Sequence, residues 1–144
     1  KSYEDLIVWQ NAMDLVEATH RASLRLPLSE RFELRSQIRR SADFIPANIA
    51  EGHGRSTTGD YVRHLLIARG SLMELETHVS IAVRLGFLPP DDVKPLRDGG
   101  QEIGRMLAGL IRALQRRRSE GTGRAKAPAP HSKVPDPDFP LASV

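Results

Sequence analysis

Between Tyr61 and Ala82 the apolar residues Tyr61, Leu65, Ala68, Leu72, Leu75, Val79 and Ala82 follow one another at spacings of 4, 3, 4, 3, 4 and 3. This period, held for three heptads, admits one secondary structure and one style of packing. Alternating steps of four and three keep a seam pointing in one direction as an α-helix turns, so the helix must lie nearly parallel or antiparallel to its neighbours. Thr57 stands where an N-cap belongs, with Asp60 in the N3 position. The run GFLPPDD ends the segment at its other side.

Three further segments carry helical spacing. Ser2 is a candidate N-cap with Asp5 three residues on, and Leu6, Trp9, Met13, Val16 and His20 form the expected stripe of the first helix. Pro27 breaks it and Ser29 is the next expected cap. Leu34, Ile38, Ala42, Ile45 and Ile49 mark the second helix, which stops at Gly52–His53–Gly54. Pro46 falls inside it and removes the hydrogen bond to the Ala42 carbonyl, so a kink is expected there, held by bundle packing. In the fourth segment Asp92 is the expected cap, with Pro95 in the first turn and Val93, Leu96, Ile103, Leu107, Leu110 and Leu114 as the stripe. Its glycines, Gly99, Gly100, Gly104 and Gly109, suggest either close helix approach or a helix that depends on its partners.

The expected fold is therefore all-α: an antiparallel up-down-up-down four-helix bundle, helix two kinked at Pro46, over residues 1–118. Residues 119–144 are rich in Pro, Gly and Ser and read as a basic C-terminal tail, disordered or extended.

Composition removes several function classes. With no cysteine among 144 residues, disulfides, thiolate catalysis and cysteine-ligated metal centres are excluded. No apolar run approaches the roughly 18 residues of a membrane span, and the N-terminus does not read as a signal peptide, so a cytoplasmic location is expected. Residues 1–111 hold 14 Lys and Arg against 15 Asp and Glu, whereas residues 112–144 hold 7 against 3. The basicity thus belongs to the C-terminal segment. Arginine outnumbers lysine 17 to 4, a bias that a GC-rich genome explains as readily as phosphate binding does.

The stretch FELRSQIRRSADFIPANIAEGHGR, Phe32 to Arg55, closely resembles the signature of the four-helix-bundle S23 family, proteins encoded within intervening sequences of bacterial 23S ribosomal RNA genes. YEDLIVWQNAMDL upstream and YVRHLLIARGSLMELETHVSIAVRLGFL downstream are similar to further patterns of that family. The resemblance covers roughly residues 3–115. It implies a homo-oligomer, commonly a pentamer, without known catalytic activity. A related branch is the accessory variability determinant of diversity-generating retroelements, a basic pentamer that works with a reverse transcriptase and its template RNA. The near-neutral body of this chain departs from the basic surface of that branch.

Candidate chemistry is sparse. Di-iron bundles need a Glu on each of two helices and Glu-x-x-His on the other two. Glu17–His20 fits once, and Glu74 with His78 offers only an i, i+4 pair, so neither a metal nor another cofactor is expected. Glu51 with His53, and Asp60 with His64, form no nucleophile–base–orienter set, and no enzyme activity is expected. The run Gly52–His53–Gly54 lacks the preceding strand of a phosphate loop. Trp9 and Phe87 are candidates for subunit contacts or for ordinary core.

Nucleic-acid binding is the functional expectation. Arg31, Arg35 and Arg39 recur at i, i+4 and i+8, with Arg40 adjacent and Arg55 and Arg63 beyond the next turn. Like charges at that spacing repel by a few tenths of a kcal/mol per pair and call for compensation. Asp14, Glu17, Glu74 or Glu76 could supply it within or between subunits, or phosphate could. Arg112, Arg116, Arg117 and Arg118 end the fourth helix, where cations also suit the helix dipole. The expected partners are the chain itself, RNA or DNA backbone, and, in the alternative adaptor reading, another protein such as a reverse transcriptase.

Overall fold

In the computed structural model, residues 2–30 and 32–124 are described, and among them every regular element is helical. Helix α1 spans Ile7–Ser23, α2 Leu34–His53, α3 Thr58–Arg84 and α4 Pro90–Arg124. Each helix packs on the one before it, and α4 returns to pack on α1, so the four form a closed up-down-up-down bundle. Short 3-10 turns at Tyr3–Asp5 and Leu28–Glu30 precede α1 and α2.

The core follows the heptad and 3.6-residue stripes of α2, α3 and α4. Ile38, Ile45, Ile49, Leu65, Val79, Val93, Ile103 and Leu107 are fully buried. Pro46 is buried inside α2, which continues on both sides of it as one helix. Thr57 Oγ1 accepts the Asp60 amide at 3.1 Å, the cap that starts α3. At the far end of α3, Gly86 adopts φ +79° and the Phe87 amide reaches back to the Ala82 carbonyl at 2.8 Å. That bond closes a Schellman turn around the one glycine whose backbone demands it.

Helix α1 departs from expectation. The side chains it buries are Val8, Ala12, Leu15, Thr19 and Ser23, while Leu6, Trp9, Val16 and His20 are only partly buried and Met13 is exposed. Both sets have helical spacing and differ by about 100° of rotation. The buried set is the smaller one, because α1 sits in the angle between α2 and α4, where small side chains let backbones approach. Leu15 and Gly99 meet there: a β-carbon on Gly99 would lie 3.7 Å from Leu15 Cδ1.

Helix termini also shift. Ser2 forms the expected capping box with Asp5, but around the 3-10 turn, and α1 begins only at Ile7. Ser29 falls within the second 3-10 turn, and α2 starts five residues later without a side-chain cap. Helix α4 starts at Pro90 rather than after Asp92, using proline's tolerance for the first turn. Asp92 is then free to pair with Arg25, tying the start of α4 to the segment after α1. Helix α4 also runs through Arg124, past the tail boundary expected at Arg118; residues 125–144 lie outside the described part of the chain.

Candidate nucleic-acid interface

The arginines of α2 occupy the seam between α1 and α2, near the end of the bundle where α1 finishes. Ser23, the last residue of α1, organises them. Its carbonyl accepts Arg35 Nε at 3.1 Å and its hydroxyl accepts Arg39 Nε at 2.8 Å, while that hydroxyl donates to the His20 carbonyl at 2.7 Å. Arg35 therefore caps the C-terminus of α1, where a cation opposes the partial negative charge of the helix end. Both side chains bind Ser23 through Nε.

One turn on, the Arg40 guanidinium lies over the Phe44 ring, 5.4 Å from its centroid, a cation–π contact. His20, Arg35, Ser36, Arg39, Arg40, Asp43 and Phe44 line an open groove of about 440 Å³. The single carboxylate in it, Asp43, is bound to His20 Nε2 at 2.8 Å. None of Arg35, Arg39 and Arg40 has a carboxylate within ion-pair distance among the described residues. Of the acidic residues expected to compensate them, Glu17 is paired with Arg21, Glu74 lies a loose 3.9 Å from His78 and Glu76 packs against α4, while Asp14 is exposed and makes no ion pair with these arginines among the described residues.

Of the remaining candidate arginines, the described ones belong to the opposite end. Arg39 and Arg55 are separated by sixteen residues of α2 and its turn, about 24 Å. Arg55 is paired with Glu51 at 2.7 Å. Arg63 and Arg118 each have interactions within the chain, and Arg118 extends over Gly59 at the start of α3. Arg112, Arg116 and Arg117 are exposed along the last turns of α4. Arg31 lies outside the described residues. The set read from the sequence is thus two groups, one in the α1–α2 groove and one around the end of α4. Ser23, Ser36 and Phe44 escaped sequence reasoning because none lies on an apolar stripe or in a charge run. The signal was Phe44 at i+4 from Arg40.

Beside the second group sits a packed α2–α3 contact. Asn48 donates to the Phe44 carbonyl at 2.9 Å and its oxygen meets His64 Nδ1 at 3.2 Å. His64 is buried, its Nε2 has no protein partner, and burial holds its pKa below the usual histidine value. Arg55 and Arg63 push in the same direction, opposed by Glu51 and Asp60. His53 meets the Tyr61 ring edge-on at 5.8 Å. The Asp60–His64 and Glu51–His53 pairs considered from the sequence do not form, since His64 turns to Asn48 and Glu51 to Arg55. Among the described residues there is no cluster of three or more side chains able to hold a metal ion. No described helix is long and apolar enough to cross a membrane.

Fold and surface together define a four-helix-bundle protein with a cationic groove. The sequence profile of the 23S rRNA-intervening sequence protein family matches residues 4–109, and the chain belongs to that family. Its fold is similar to that of a protein of unknown function from the S23 ribosomal protein family of Bacteroides thetaiotaomicron, known at 1.70 Å resolution. The two are 21% identical with a TM-score of 0.69, over 74% of this chain and 96% of the other. No curated protein matches the sequence.

Proposed function

We propose that this chain is a non-enzymatic, self-associating bundle that binds the phosphate backbone of RNA or DNA through its arginines. The observation that carries the reading is the α1–α2 groove, lined by the half-buried Arg35 and Arg39 and the exposed Arg40, none of which has a carboxylate partner among the described residues. Several basic side chains elsewhere on the bundle are paired along their own helix, as in Arg21–Glu17, Lys94–Asp98 and Arg105–Glu102. Three cations within about two turns repel one another, and a phosphate chain relieves that repulsion while releasing its own counterions. Arg112, Arg116 and Arg117 add a second basic patch at the end of α4. Repetition of both patches in an oligomer, a pentamer in this reading, multiplies the contacts and steepens the salt dependence.

Self-association is supported by apolar side chains left on the outer side of α3. Met73, Ile81 and Leu85 are 59%, 40% and 60% exposed. The same stripe favours a second reading, in which the protein is an adaptor for another protein such as a reverse transcriptase. The two readings separate by salt. Fluorescence anisotropy of the full chain with a structured RNA and a DNA duplex, from about 50 to 300 mM salt, should give affinities falling steeply on a log–log plot. Absence of binding at the lowest salt would refute the nucleic-acid reading and direct the search to a protein partner.

A further inference from the structure

We infer that the α1–α2 groove takes a single-stranded nucleic acid, with a base stacked on Phe44 and the adjoining phosphates on Arg35, Arg39 and Arg40. The inference rests on the backbone-binding reading and deepens it. Phe44 is 42% exposed although it is a large apolar side chain, and it stands at the rim of the groove rather than over the core. Arg40 covers one side of the ring at 5.4 Å. The exposure remaining to the ring is where a second planar group can stack.

An aromatic side chain among cations has no use for a duplex, whose bases are already paired and stacked. It suits a strand whose bases can be turned outward, because every base offers a π-face and stacking is tolerant of sequence. Arg35 and Phe44 are nine residues apart on one helix, so the groove runs about 14 Å along α2. A strand laid along it meets guanidinium groups first and the aromatic ring last. Ser23 and Asp43 prepare the cations for this. Ser23 holds Arg35 and Arg39 through Nε, and Asp43 is occupied by His20 rather than by an arginine. Ser36 adds a hydroxyl to the lining.

The test uses the full chain with a fluorescein-labelled oligouridine and an RNA duplex of equal length, and a single strand carrying a fluorescent adenine analogue. The single strand should bind more tightly than the duplex, and the analogue should be quenched on binding. Phe44→Leu should weaken single-strand binding about tenfold and leave duplex binding within about twofold. Phe44→Tyr should retain single-strand binding. Circular dichroism and sedimentation of both variants should match the parent, because the residue is half-exposed. Equal loss for both polymers, no loss for either, or an unquenched analogue would overturn the stacking inference while leaving backbone binding standing. Failure of the parent chain to bind either polymer at low salt would overturn both.

Discussion

A β-carbon placed on Gly52 would lie 2.8 Å from Cβ of His64 and 3.2 Å from the Tyr61 carbonyl oxygen. The end of α2 and the start of α3 thus touch through a glycine, and the obstacles around it include backbone and the first carbon of a side chain. Gly52→Ala must separate the helices at this point, and overpacking of that kind costs about 1–3 kcal/mol. By contrast a β-carbon on Gly104 meets only Leu72 Cδ2, at an ordinary 3.6 Å. Gly104→Ala should stabilise by about 0.4–1 kcal/mol through a less flexible unfolded chain. Denaturant midpoints of the two variants should therefore move in opposite directions.

Burial lowers the pKa of His64 in the folded state from its reference of 6.5. The unfolded chain then binds more protons, so stability is full above pH 6.5 and is lost as pH falls from there through the folded value. Glu76 has the opposite sign: burial raises its pKa above 4.5, against the pull of Arg97, and favours the folded state at low pH. Denaturant titrations between pH 7 and 4.5 on the parent and on His64→Gln should differ, with the variant losing less stability on acidification. Parallel curves would refute the assignment.

Ser23 serves both stability and the groove. Ser23→Ala removes the acceptor of Arg39 Nε and the donor to the His20 carbonyl, a loss of about 1–2 kcal/mol at a buried position. Arg35 keeps its bond, because it is made to the Ser23 carbonyl. Nucleic-acid affinity should fall with the variant while the oligomeric state is unchanged, as read by anisotropy and sedimentation.

The two basic patches should separate by salt slope. Each phosphate contact removed lowers the slope by about 0.7 to 0.9. Arg35→Ala with Arg39→Ala should therefore reduce it by about 1.4 to 1.8, and Arg116→Ala with Arg117→Ala, on the exposed end of α4, should reduce it by a similar amount. Additivity of the two changes is expected because the patches lie at opposite ends of the bundle. An unchanged slope in the groove variant would place the contacts on α4.

Much of the architecture was legible in the order of residues. The seam of α3, the stripe Leu34–Ile49 of α2, the cap Thr57 and the break at GFLPPDD are local matters of periodicity and backbone freedom, and they appear as read. Helix α1 was legible as a helix but not in its facing. Large side chains suggested one face, while close packing between α2 and α4 chose the face with Ala12, Thr19 and Ser23. The four glycines of α4 could not be told apart by sequence: Gly100 lies 3.0 Å from Glu76 Oε2 by the same measure, whereas Gly109 meets nothing nearer than 4.0 Å.

The sequence by itself determined a four-helix bundle, because hydrophobic period, caps and breakers act over a few residues. Tertiary structure decided which charges are compensated. A run of arginines at i, i+4 and i+8 reads the same whether carboxylates or solvent face it. Only the rotation of α1, which brings Ser23 rather than Glu17 to Arg35 and Arg39, leaves that part of α2 as an open cationic groove.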